Sequence, residues 1–123
     1  MRYLTDRKRA QGLGSSRHGT DHHWQMLVSS ILLCVLVPLF VFTFGVGLGG
    51  SHAEVIAYFA QPFPAILTAL TLIVGINHVK CEAQEAIEDY MGGTGAKLAY
   101  VAVGAFAYTL IAAGLFALVK IAL

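Results

Sequence analysis

From Met26 to Leu48 the chain reads MLVSSILLCVLVPLFVFTFGVGL, with no Asp, Glu, Lys, Arg or His. A helix crosses about 30 Å of hydrocarbon with roughly 20 residues, so this run is long enough to span a bilayer. It is too long for a signal-peptide core, and no small-residue cleavage site follows a short apolar stretch. Two more apolar runs follow, from Phe63 to Asn77 and from Leu98 to Val119. Backbone N–H and C=O groups in lipid must be satisfied within the span, which points to helices. The expected fold is an all-α integral membrane protein with three transmembrane helices. Its organisation is one membrane domain over 1–123, with a polar tail at 1–21 and spans at about 25–48, 63–90 and 96–121.

Only 12% of the residues are charged and 57% are hydrophobic, whereas soluble domains carry about 25% charged residues. A net charge of +1 gives no electrostatic footprint for nucleic acid. Cys34 lies in an apolar run and Cys81 in a polar one; they form neither a ligand spacing nor a disulfide framework, and read as packing residues. The start of the chain is Arg- and Ser-rich like a transit peptide, yet little chain precedes the first span, so a cytoplasmic tail is expected.

Basic residues orient the spans. Arg2, Arg7, Lys8, Arg9, Arg17, Lys80 and Lys97 lie in the tail and around the 80–97 connection, against Lys120 alone near the C-terminus. The positive-inside rule then places the N-terminus in the cytoplasm and the C-terminus in the periplasm. Trp24 suits the headgroup layer at the start of the first span. His22 and His23 beside it read as interfacial polar residues, with a contact to a bound cofactor as the alternative. Pro38 is expected to kink the first helix, and Ser29, Ser30 and Cys34 to face other helices. Gly49-Gly50-Ser51 marks a turn, and 52–61 a short interfacial helix in which His52 and Glu54 are solvated. Pro62 and Pro64 suit a helical first turn. Ala105, Thr109, Ala113 and Ala117 make a small-residue stripe for close helix packing, and Lys120 can snorkel.

The stretch with the most chemistry is His78 to Tyr90, HVKCEAQEAIEDY. On one continuous helix His78 and Asp89 differ by 11 residues, a turn of about 1100°, or 20° from a whole number of turns, with about 16 Å of rise. His78 falls in the far half of its span rather than at the centre. Ionisable groups inside a membrane are functional candidates by default; a hydrogen bond to a helix carbonyl is the plain alternative.

The His-x10-Asp-Tyr pattern with Ile87-Glu88 before the pair, together with the basic tail and three apolar segments, resembles the small membrane-anchor subunit of succinate dehydrogenase (succinate:quinone oxidoreductase, complex II). The resemblance implies that His78 is an axial ligand of haem b, that Tyr90 hydrogen-bonds a ubiquinone carbonyl, and that Asp89 supports the ubiquinone site. It implies no catalytic succinate site in this chain, which has no flavin or iron–sulfur motif. The implied partners are a second membrane-anchor cytochrome b subunit, an iron–sulfur subunit, a flavoprotein subunit and the lipid bilayer, in a bacterial inner membrane rather than a mitochondrial one. His18, His22, His23 and His52 lie outside the apolar runs, so a second histidine ligand must come from another chain. Two positions depart from the family pattern. Leu27 stands about where an arginine often sits near haem and quinone, and Glu82 stands where glycine often admits the porphyrin. Glu82 and Glu85 are then expected to point to water or a basic partner, and Lys80 and Gln84 to serve haem propionates or docking. Two other readings compete: a haem-free structural subunit of a larger complex, and a small self-associating transporter. The second is disfavoured because spans one and three contain no Asp, Glu, Arg or His.

Overall fold

The computed structural model describes residues 4–14 and 16–123; Arg2, counted above for orientation, lies outside them. The described residues form five helices and no strand. They are α1 (Asp6–Gln11), α2 (Asp21–Gly47), α3 (His52–Phe59), α4 (Pro62–Tyr90) and α5 (Gly93–Ala122). The helices α2, α4 and α5 have 27, 29 and 30 residues and are long and apolar enough to cross a membrane. At about 1.5 Å per residue each exceeds the hydrocarbon core, so their polar ends extend past it.

Cross-helix contacts give the topology. His22 and Ser29 of α2 face Glu85 and His78 of α4 in reversed order. Gln84, Lys80 and Leu72 of α4 face Tyr100, Tyr108 and Gly114 of α5, again in reversed order. The three long helices therefore alternate in direction, with α4 in contact with both neighbours. His22, Glu85 and the α4–α5 connection share one end of the bundle. The α2 C-terminus, α3 and Pro62 share the other.

At that second end Gly47 allows α3 to pack against α2. A Cβ there would lie 2.7 Å from the Tyr58 ring and 2.8 Å from that of Phe59. Phe59 is buried, packs at a tilt against the Phe44 ring with centroids 5.5 Å apart, and has Tyr58 edge-on at 5.2 Å. Tyr58 donates its hydroxyl to the Thr43 carbonyl at 3.0 Å. Ser51 and Glu54 close a capping box at the start of α3. Glu54 accepts from the Ser51 backbone N–H and hydroxyl, and those two bonds hold its carboxyl below the usual value.

Helix starts differ from the sequence expectation. α1 forms inside the tail, capped by Thr5 and ended by Gly12 at φ 62°, where glycine is favoured. The helix α2 begins at Asp21 and α5 at Gly93, earlier than 25 and 96. Turn chemistry at 91–95 is thus compressed to Met91-Gly92, with Gly93 at φ 67° supplying the reversal. Pro38 lies inside α2, where its ring removes one backbone donor.

Little apolar surface is buried within the chain. Phe59, Leu67 and Ala107 are the buried hydrophobic residues among those described, while large side chains along α2 and α5 are exposed. In water so much apolar surface would drive association; in lipid it is solvated. Within the bilayer, helix association depends on close packing and polar contacts rather than on hydrophobic burial.

Candidate functional site

His78 sits where α2 and α4 meet. Its Nδ1 is 2.8 Å from Ser29 Oγ on α2. Its Nε2 is 3.2 Å from Glu82 Oε1, about one turn further along α4. The histidine side chain is 15% exposed and that of Glu82 is 61% exposed, so Nδ1 meets α2 and Nε2 meets an exposed carboxylate of its own helix. Ser29 Oγ also donates to the Met26 carbonyl at 2.9 Å, which accepts from the Ser30 hydroxyl at 2.8 Å as well.

A second polar pair extends the seam. His22 Nε2 lies 2.7 Å from Glu85 Oε1, each side chain 49% exposed. His22 precedes Ser29 by the same interval, seven residues, that separates His78 from Glu85. Seven residues is close to two helical turns. Antiparallel helices in this register therefore place one pair two turns from the other. The expectation that Glu82 and Glu85 turn to water or a basic partner resolves into two histidines of the same chain.

Beside this seam lies an open apolar groove of about 410 Å³, lined by Trp24, Val28, Ser29, Leu32, Ile73 and Asn77 among others. Ser29 thus belongs both to the groove and to the His78 contact. Trp24 is 60% exposed, as a membrane-boundary ring should be.

Asp89 and Tyr90 close α4, and both side chains are exposed, Tyr90 at 90%. Because α4 runs unbroken from Pro62 to Tyr90, His78 and Asp89 keep the near-common face that the sequence predicts, about 16 Å apart along the axis. They share a helix and not a pocket. Near the end of α4 a groove of about 360 Å³ opens between Ile87, Glu88, Ala96, Lys97, Tyr100 and Val101. Glu88 and Asp89 stand in the last turn with no basic residue, where the carbonyl end of the helix disfavours negative charge by about 0.3–1 kcal/mol each.

Several side chains go elsewhere than expected. Gln84 is 8% exposed and donates to the Tyr100 carbonyl at 3.2 Å, so it joins α4 to α5 and is not presented outward. Lys80 Nζ lies 3.3 Å from the Tyr108 hydroxyl and 5.0 Å from that ring's centre. Ser29 and Ser30 are half-buried, whereas Cys34 is exposed. Ala105, Thr109, Ala113 and Ala117 are exposed, and the close approach to α4 uses Gly104 and Gly114 instead.

No group of three or more His, Cys, Asp or Glu side chains among the described residues could hold a metal ion by itself. One histidine nitrogen engaged only by an exposed carboxylate suits a metal already held by a macrocycle, with the remaining ligand from elsewhere. An exposed Glu82 can turn away to admit it. The donor set therefore fits half of a haem site.

Comparison with known proteins agrees with the motif. A family model described as succinate dehydrogenase/fumarate reductase transmembrane subunit matches residues 1–119. The succinate dehydrogenase hydrophobic membrane anchor subunit of Paracoccus denitrificans is 44% identical over 123 residues, covering 100% of this chain and 95% of that protein. No solved structure matches the chain.

Proposed function

The chain belongs to the succinate dehydrogenase/fumarate reductase transmembrane-subunit family, and from that membership we propose that it contributes one axial histidine to haem b and part of a ubiquinone site in a succinate dehydrogenase complex. In this reading 1–123 is one membrane-anchor domain that holds the flavoprotein and iron–sulfur subunits at a bacterial inner membrane. The N-terminus is cytoplasmic and the C-terminus periplasmic, so Asp89 and Tyr90 meet the face where those soluble subunits dock. Succinate is oxidised outside this chain.

The observation that carries the reading is the position of His78 within α4. A histidine in an apolar helix meets Ser29 of α2 through one nitrogen and the exposed carboxylate of Glu82 through the other. His78 would hold the haem through that second nitrogen, and a sister anchor subunit would supply the other histidine. Haem b, when bound, supplies a one-electron redox centre within the membrane.

Ubiquinone reduction consumes two electrons and two protons. The phenolic O–H of Tyr90 can donate a hydrogen bond to a quinone carbonyl oxygen. Asp89 beside it can orient that phenol or pass protons from water. Its place at a helix C-terminus, against the local dipole, supports a functional reason for the acid, since rules of local stability are broken mostly at working sites.

The test is Tyr90→Phe in the assembled complex. Loss of one hydrogen bond to the substrate should lower quinone reductase activity about tenfold. Succinate oxidation by an artificial acceptor should stay near wild type. An equal fall in both activities would contradict the quinone role.

A further inference from the structure

We infer that Ser29 is the positioning residue for His78: its hydroxyl accepts a hydrogen bond from Nδ1–H and so leaves Nε2 as the nitrogen that binds iron. This rests on the haem reading of His78 proposed above, and it assigns to α2 a role that no motif in α2 announces.

The argument is a count of protons and lone pairs. An imidazole that ligates iron gives one nitrogen's lone pair to the metal, so its single N–H sits on the other nitrogen. Of the two nitrogens, Nδ1 faces the α2–α4 seam, 2.8 Å from Ser29 Oγ. The other, Nε2, faces Glu82, whose side chain is 61% exposed. Ser29 of α2 closes the Nδ1 side, so a macrocycle would approach at Nε2 once Glu82 turns away. Iron therefore takes Nε2, and the proton belongs on Nδ1.

A proton on Nδ1 needs an acceptor, and a serine can accept only if its own hydrogen has somewhere to go. Ser29 meets that condition, because the Met26 carbonyl lies 2.9 Å from its Oγ. The chain Nδ1–H to Ser29 Oγ, then Ser29 O–H to Met26 carbonyl, satisfies every donor. It also ties the ring plane of His78 to the backbone of a different helix. Metal-bound histidines commonly donate their second N–H in this way, which fixes the ring and makes the ligand more basic. Glu82 is not part of that support. It occupies the Nε2 direction only until a ligand does, and its exposure lets it rotate away.

The direction of the effect follows. A hydrogen bond from Nδ1–H raises the electron donation of the imidazole and favours ferric iron. Removing the acceptor should favour ferrous iron and raise the midpoint potential.

The experiment is redox potentiometry of the haem α-band in the purified membrane complex, with low-temperature EPR of the ferric state. It compares wild type with Ser29→Ala, Ser29→Thr, Glu82→Gln and His78→Ala. Ser29→Ala should keep the haem and shift its ferric–ferrous equilibrium roughly tenfold toward ferrous, about 59 mV upward for one electron, with altered EPR g values. Ser29→Thr, which keeps the hydroxyl, should restore both. Glu82→Gln should retain the haem. Haem loss in Ser29→Ala that Ser29→Thr repairs, with the complex assembled, supports the inference equally. If Ser29→Ala does not assemble, Ser29→Cys has about the same size and is a poor acceptor, and must shift the potential in the same direction. A wild-type potential and EPR spectrum in Ser29→Ala, with haem lost or altered in His78→Ala, overturns the role of Ser29 and leaves His78 as ligand. An unchanged spectrum in His78→Ala overturns both.

Discussion

The helix α4 is packed on two sides in two different ways. Toward α5 the contact turns on glycines and one buried amide, with a groove of about 360 Å³ near the end of α4. Leu72 lies over Gly114, Gly104 comes near Gln84, and Gln84 is buried against the Tyr100 carbonyl. Toward α2 the contact is polar and open: Ser29 with His78, His22 with Glu85, and an apolar groove of about 410 Å³ beside them. The first seam is built on small residues and a buried amide. The second carries both histidine–carboxylate pairs. One helix thus presents a glycine-lined face to one neighbour and a histidine-bearing polar face to the other.

The largest effect on structure should come from the α4–α5 seam. A Cβ at Gly114 would sit 2.5 Å from Leu72 Cδ2, so Gly114→Val must push Leu72 aside. Overpacking of this kind costs about 1–3 kcal/mol, and it should lower the detergent-denaturation midpoint of the complex. Unchanged stability would mean that Leu72 has another place to go and that the two seams are less different than they look.

The smallest effect should come from the outer rung of the polar seam. His22 and Glu85 are each half exposed, and pairs of this kind contribute about 0–1 kcal/mol and weaken with salt. His22→Ala should therefore change stability by less than about 1 kcal/mol and leave the haem spectrum intact. A large, salt-insensitive loss would show that a partner subunit covers this end and turns the pair into a buried one.

The contrast between the seams was only partly legible in the sequence. Three uncharged or nearly uncharged runs were enough to find three membrane-length helices, because hydrocarbon tolerates few other structures. Helix starts at Asp21 and Gly93 were not found, because polar residues and glycines read as loop until the end of a neighbouring helix holds them. The His78–Tyr90 stretch was visible as a motif, and its unbroken helix kept the predicted phase. Ser29 could be named only as a residue facing some helix. Its pairing with His78 depends on the antiparallel register of α2 and α4, for which the one clue was the shared spacing of His22 to Ser29 and His78 to Glu85. Gln84 was misplaced outward, since a single amide in a charged stretch gives no sign that it will reach the Tyr100 carbonyl. The stripe at Ala105, Thr109, Ala113 and Ala117 had the right residue type for packing but lies on the exposed side of α5; nothing in its spacing distinguishes it from the face that meets α4.

The polar seam is the reactive one only if His78 binds haem. The direct measurement is a dithionite-reduced minus oxidised visible spectrum of the assembled membrane complex, wild type against His78→Ala. The account predicts a b-type α-band that is lost or displaced in the variant while all subunits remain assembled. A band of unchanged position and intensity would contradict it, and would reduce the contacts of His78 with Ser29 and Glu82 to a structural tie between two helices.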